Sequence, residues 1–322
     1  MGIYQHLTTF AGRPIADLSP DPDADPDESV ELSGEDGKDG AARSPRKAYR
    51  LAGAFEGVPF DEILDAFLDG ADCSAVTHLV IGYWGASYDD GAADPTALLV
   101  AAADRLPSLE ALFIGDIVGE ESEISWIEQS DITPLFEAFP RLAHLEVRGG
   151  TGLKLSPVKS DVLRTLRFEA GGLPGAVVRA VGDSDLPALE HLDLWLGVGD
   201  YGGDARIEDL AAILGGARLP SLKHLGLENS EIQDEIARAV AGAPIVARLE
   251  SLSLAMGALT DPGAEALVAG QPLTHLKRLD LHHHYLTDAT MERLRTAFPG
   301  VEVDLDEQDE AEDDWVYVAV SE

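Results

Sequence analysis

The chain has 322 residues, 45% of them hydrophobic, enough to bury a sizeable core as one extended repeat domain or two compact ones. A formal net charge of −36 disfavours phosphate backbones and anionic lipid, which need neutralising cations, so neither nucleic acid nor a membrane is an expected partner. The single cysteine, Cys73, excludes a disulfide framework and zinc sites built on several thiolates, and reads as a small buried hydrophobe ahead of a strand.

The first twenty residues lack the basic start and apolar run of a secretory signal, so the expected compartment is the cytosol, and residues 1–18 read as an N-terminal strand segment. Residues 19–47 are rich in Pro, Asp, Gly and Ser and poor in apolar groups, which predicts a disordered acidic linker. Residues 48–75 form a predicted N-terminal cap. Within it "PFDEILDAFLD" (59–69) places Ile63, Leu64, Phe67 and Leu68 at helical spacing.

From residue 76 the pattern L-x-x-L-x-L recurs. "VTHLVI", "LEALFI", "LAHLEV", "LRTLRF", "LEHLDL", "LKHLGL", "LESLSL" and "LKRLDL" start at residues 76, 109, 142, 163, 189, 222, 249 and 276, with "FPGVEV" at 298 as a weaker ninth copy. In each copy a short strand should alternate its side chains, sending positions four and six into the core and positions three, five and seven outward. Truncating inward Leu194 or Leu227 should therefore destabilise far more than truncating outward Asp193. One such strand cannot bury its apolar face alone, so the copies must stack into a parallel sheet with the return paths behind it. Those paths read as helical: "IEDLAAIL" aligns Ile207, Leu210, Ala211 and Leu214, and Asp261 beside Pro262 makes a good helix start.

Over residues 76–305 these copies resemble the leucine-rich repeat family in its ribonuclease-inhibitor-like, helix-bearing subtype. "HLTTFAGRPIADL", "SWIEQSDITPLFEAFPRL", "LWLGVGDYGGDA" and "RLDLHHHYLTD" are similar to an uncharacterised bacterial leucine-rich repeat family, a resemblance that implies no assigned activity. The expected fold is α/β, a solenoid bent into a horseshoe or arc, with a parallel concave sheet, convex helices and both ends capped. The family usually places Asn or Cys at position nine to satisfy turn backbone; here that ladder is absent, and its hydrogen bonds must be met otherwise. At the C-terminus, residues 306–322 read as an acidic connector and a cap strand, "WVYVAV" (315–320).

Candidate site residues follow from this register. The longer copies carry their insertions just after the strand, on one rim, and bring Tyr83, Trp84, Tyr88, Trp126, Trp195 and Tyr201 there, near outward Arg148, Glu169 and Glu228. Large aromatics at a rim suit binding anchors, and packing of the loops on themselves is the alternative. In "LDLHHHYLTD", His282 faces outward, His283 lies at the rim and His284, at position nine, reads as a half-buried turn residue, so the three rings diverge. Position three brings His191 beside His224, either an ordinary polar face or a pH-sensitive contact strip.

No phosphate loop, G-x-S-x-G or HExxH is present, and no cofactor or enzymatic activity is implied. The expected function is non-catalytic binding of a protein or peptide, basic ones included, on the concave face and aromatic rim. The alternative is metal binding or metal-assisted catalysis at Asp280, His282, Glu302 and Asp304, if the ninth strand sets Glu302 beside Asp280 and Asp304 beside His282.

Overall fold

The computed structural model describes residues 4–18, 20, 32, 43–53, 57–85, 93–311 and 315–322. The chain is α/β and divides into two units, Met1–Lys154 and Leu155–Glu322. Most of the predicted linker, and Tyr88, lie outside the described residues. Residues 43–47 do not belong to a linker. Arg43 is buried, with its guanidinium over the rings of Phe67 and Tyr49, and Ser44 N–H donates to the Tyr49 hydroxyl.

Unit 1 contains strands β1 (Thr9–Phe10), β2 (Arg13–Asp17), β3 (Ala48–Leu51), β4 (His78–Ile81), β5 (Ala111–Ile114) and β6 (His144–Arg148), with helices α1 (Phe60–Gly70), α2 (Pro95–Ala101) and α3 (Leu135–Ala138). β1 and β2 pair antiparallel across a turn at Ala11–Gly12, and β2 to β6 pair parallel in chain order. Unit 2 contains β7 (Thr165–Glu169), β8 (His191–Gly197), β9 (His224–Ser230), β10 (Ser251–Ser253), β11 (Arg278–Asp280) and β12 (Glu302–Asp304), all parallel to their neighbours. Its helices are α4 (Gly175–Asp183), α5 (Ala211–Gly215), α6 (Gln233–Val240), α7 (Asp261–Ala269) and α8 (Asp288–Ala297).

The leucine period sets the pairing. Position three of one copy lies opposite position three of the next: His78 on Ala111 on His144 in unit 1, and Thr165 on His191 on His224 on Ser251 on Arg278 in unit 2. Leucines at positions four and six are sealed in each unit, including Leu79, Leu145, Leu192, Leu194, Leu225 and Leu227.

The ninth copy departs from the sequence reading. Phe298 ends α8 and accepts from Val301 N–H, the role Leu273 plays for Leu276 one copy earlier. A tight turn with Gly300 at φ +85° then starts the strand late, so Glu302 faces Arg278 and Asp304 faces Asp280. Two further expectations are revised. The helical stripe at 207–214 opens with a 3-10 turn, whose three residues per turn rotate the later positions, so Ile213 is buried and Ala211 is exposed. Residues 315–320 form no strand. The tail runs back over unit 2, with Ala319 N–H donating to Met256 O and Val320 paired through both backbone groups to the buried Asn229 amide.

The missing asparagine ladder has a replacement in unit 2. Asp234 accepts from the N–H and hydroxyl of Thr260 at 2.9 and 2.6 Å, and Asp261, one copy later, accepts from both groups of Thr287 at 2.9 Å. Each helix-start aspartate thus holds the N-cap threonine of the next helix. Among the described residues no helix is long and apolar enough to cross a membrane.

Candidate functional site

The outward face of each unit is where sequence and structure diverge most. In unit 1, outward positions five of β4 and β5 are Val80 and Phe113, both fully buried. Apolar outward residues need cover, and the chain supplies it: Phe10 packs with Val80, Ala111 and Phe113, assisted by Leu7 and Ile15. Its ring stands edge-on to His78 and His144, with centroids 6.3 and 5.0 Å away. The segment His6–Phe10 is held at its other end by charge. Arg50 Nε lies 3.2 Å from the wholly buried Asp116 carboxylate and Nη1 donates to Asp17 at 2.8 Å, while Leu7 N–H donates to Asp116 at 3.4 Å.

His6 completes this clamp. Its Nδ1 lies 3.7 Å from Asp116 Oδ2 and its Nε2 3.4 Å from Glu121 Oε1. Asp116 first and Glu121 second raise its pKa to about 9, against burial and the Arg50 charge. Arg50 Nη2, 3.0 Å from Nε2, suits a neutral ring; the two carboxylates outweigh it. A raised folded pKa stabilises the closed segment fully below 6.5, and that contribution is lost as pH rises through about 9. A dye at position 4 (Tyr4→Cys in Cys73→Ser) should therefore gain mobility between pH 7 and 10, and His6→Gln should abolish the step. A flat profile in the parent protein would contradict the clamp.

The predicted rim loses most of its anchors. Tyr83 and Trp84 are buried in unit 1, where Trp84 lines a hollow with Ile117, Gln129 and Trp126, and Trp126 alone of these aromatics is exposed, at 56%. Arg148 is buried too, donating to Ile117 O at 2.7 Å with its guanidinium over Phe113. In unit 2 Trp195 is 2% exposed because it lies flat under Arg167 and donates its indole N–H to Glu228 at 2.8 Å. Glu169 pairs with Arg167 at 2.7 Å, and the Tyr201 hydroxyl donates to Glu322 in the tail. Insertion length marks a rim but not what packs against it, which is why these side chains read as free anchors in the sequence.

The three histidines separate. His282 Nδ1 bonds Asp280 at 2.8 Å, His283 Nε2 lies 3.2 Å from Tyr317 O, and fully buried His284 bonds Leu305 O and accepts from Leu286 N–H, satisfying its turn. The expected Asp280, His282, Glu302 and Asp304 cluster is organised otherwise. Arg278 reaches Asp280, Glu302 and Asp304 at 2.9, 3.1 and 2.7 Å, so a guanidinium stands where a cation would. Burial raises the Asp280 carboxyl, but the His282 and Arg278 bonds prevail and hold it at about 2.

A tighter constellation lies on β8 and β9. Asp193 is 3% exposed and accepts from His191 Nε2 at 2.6 Å and His224 Nε2 at 2.8 Å. The two rings stack 4.1 Å apart, and His224 Nδ1 meets Ser251 Oγ at 2.7 Å. Burial pushes the Asp193 carboxyl up, but the two imidazole bonds hold it well below the ordinary range, whereas burial and the Asp193 charge raise Glu228. Sequence reasoning pairs the two histidines but misses Asp193 as their common acceptor. The available signal was Gly226, opposite Asp193: any side chain there would collide with Asp193 Oδ1.

No protein-family model matches the chain, and no curated protein matches it. Among solved structures, a Bacteroides fragilis protein determined as a structural-genomics target superimposes with a TM-score of 0.74 and 30% identity, over 84% of this chain and 77% of that one. The chain belongs to the family of that protein. The match covers more of this chain than either unit holds alone, so residues of both units take part in it.

Proposed function

We infer that the chain is a leucine-rich repeat scaffold of the cytosol, without catalytic activity, that binds an extended basic segment of another protein on the outward face of unit 2. The repeat assignment is supported by eight L-x-x-L-x-L copies whose period coincides with strand pairing within each unit. The observation that carries the binding reading is the behaviour of the same face in unit 1. There, positions three and five already hold an extended stretch of the chain, with Phe10 seated among His78, Phe113 and His144 and its charged end clamped. In unit 2 the equivalent rows carry His191, Arg278 and Glu302 with side chains 41%, 43% and 69% exposed, alongside Asp280 and Asp304. The excess of carboxylates there and the net charge of −36 favour a basic occupant and a salt-sensitive on-rate.

Extended peptides with one Phe flanked by Lys and Arg, and acidic versions of the same length, test this by fluorescence anisotropy. Basic peptides should bind and acidic ones should not. Glu302→Lys with Asp304→Lys should weaken binding about tenfold, worth ~1.4 kcal/mol, while Arg238→Glu, at an exposed position of α6, should leave it unchanged. Loss of binding with Arg238→Glu alone would refute the assignment of the face.

A further inference from the structure

We propose that His191, Asp193 and His224 form a binding site for one divalent transition-metal ion, a function that goes beyond peptide recognition and does not depend on it. Three donors of the right kind converge here. The ~4.8 Å spacing of paired strands sets the two position-three imidazoles side by side, and Asp193, two residues along β8, emerges on the same face. Each of the three side chains offers a ligand atom within 4.8 Å of those of the other two. Two imidazoles and one carboxylate are a borderline donor set that suits zinc, cobalt, nickel, iron or manganese in the divalent state, and does not suit magnesium or calcium, which favour all-oxygen shells.

The surroundings are built for such a site. Gly226 leaves the space into which Asp193 leans, so the carboxylate can reach the neighbouring strand's histidine. Ser251 holds the second nitrogen of His224; once Nε2 binds an ion, the proton sits on Nδ1 and donates to the Ser251 hydroxyl, the outer contact that fixes a ligating ring. His191, 41% exposed, leaves a path for the ion and an open coordination position.

Each neutral ring would keep its one proton on Nδ1 and offer Nε2 to the ion, and ligand distances of ~2.0–2.2 Å would open the 2.6 and 2.8 Å nitrogen–oxygen separations to about 3 Å. The stacked rings must each turn toward it about χ2, a soft torsion. Arg167 Nη1, 3.6 Å from Asp193 Oδ2, opposes the added charge, but its guanidinium is held at 2.7 Å by Glu169, which offsets that charge. The second cluster of the unit, at Asp280 and His282, is the internal comparison, because Arg278 already neutralises it.

Chelator-stripped, tag-free full-length protein titrated with Co2+ in excess Mg2+ tests the site, since Mg2+ fills carboxylate-only sites and cobalt's visible absorption reports nitrogen ligation. One equivalent of Co2+ should bind with on the order of micromolar affinity and be displaced by Zn2+. His191→Ala, partly exposed and expected to fold, and His224→Ala should each weaken binding by about tenfold or more, and Asp193→Asn likewise. His282→Ala should not alter it. Circular dichroism separates ligand loss from unfolding, and His191→Ala is the deciding variant if the buried Asp193 variant fails to fold. Absence of nitrogen-ligand absorption, affinity unchanged in His191→Ala, or loss of the site in His282→Ala would overturn the proposal.

Discussion

Replacing Asp116 with alanine is expected to cost unit 1 about 3 kcal/mol in urea unfolding and to free its N-terminal segment. Asp116 is wholly buried and faces Arg50, whose side chain is itself 7% exposed. Removing one partner of a buried pair leaves an uncompensated charge, typically worth ~3–5 kcal/mol. The lower end applies because Asp17 still accepts from Arg50 at 2.8 Å and Glu121 lies 3.9 Å away. Asp116→Asn separates charge from contact, since it can keep an acceptor for Leu7 N–H while losing the ion pair. A loss below about 1 kcal/mol for Asp116→Ala, with His6–Phe10 still closed, would show that apolar packing of Phe10 alone holds the segment.

Leu194→Ala should destabilise unit 2 by ~2–5 kcal/mol, through lost transfer energy and the cavity left behind. Leu194 is fully buried between Phe168 and Leu227 in the strand register, so a hole there has neighbours on both sides that cannot collapse into it. The adjacent residue gives the informative contrast. Asp193 points the opposite way, and the alternation of the strand alone makes its truncation cheap. With 3% exposure and two imidazole donors it should instead cost about 1–2 kcal/mol, through two lost hydrogen bonds to rings that are themselves only partly buried. Leu194→Ala should remain the costlier change of the two; a negligible effect of Asp193→Ala would mean water replaces the carboxylate freely.

These two residues show what the sequence conveys and where it stops. Strand register was legible because leucines at fixed spacing allow one way of burying the sheet, and a shift by one residue would expose all of them. Helix starts were legible at Asp261–Pro262, where the local chemistry is sufficient. What covers the outward face was not, because a tertiary neighbour far along the chain decides it. A clue was present in unit 1: position five is Val80 and Phe113 in the first two copies, then Glu146 in the third. Apolar side chains at outward positions require a lid, and Phe10 is that lid. Trp195 and Arg148 escape sequence reasoning on the same ground, since burial beneath or beside a neighbouring long side chain leaves no periodic trace. The ninth copy misleads because Phe298 fits position one by type, although helix α8 and Gly300 give it the preceding role.

The returning tail of unit 2 has a consequence for how that unit comes apart. A stack whose repeats touch only their immediate neighbours can fray from its last member inward, one repeat at a time. Here residues 319–322 skip over the final repeats and bond directly to Met256, Asn229 and Tyr201. Opening β12 and β11 from the end therefore strains a closed loop of chain anchored on β9, so the terminal repeats and the middle of the stack open together. The tail turns a row of separable neighbours into a single cooperative element.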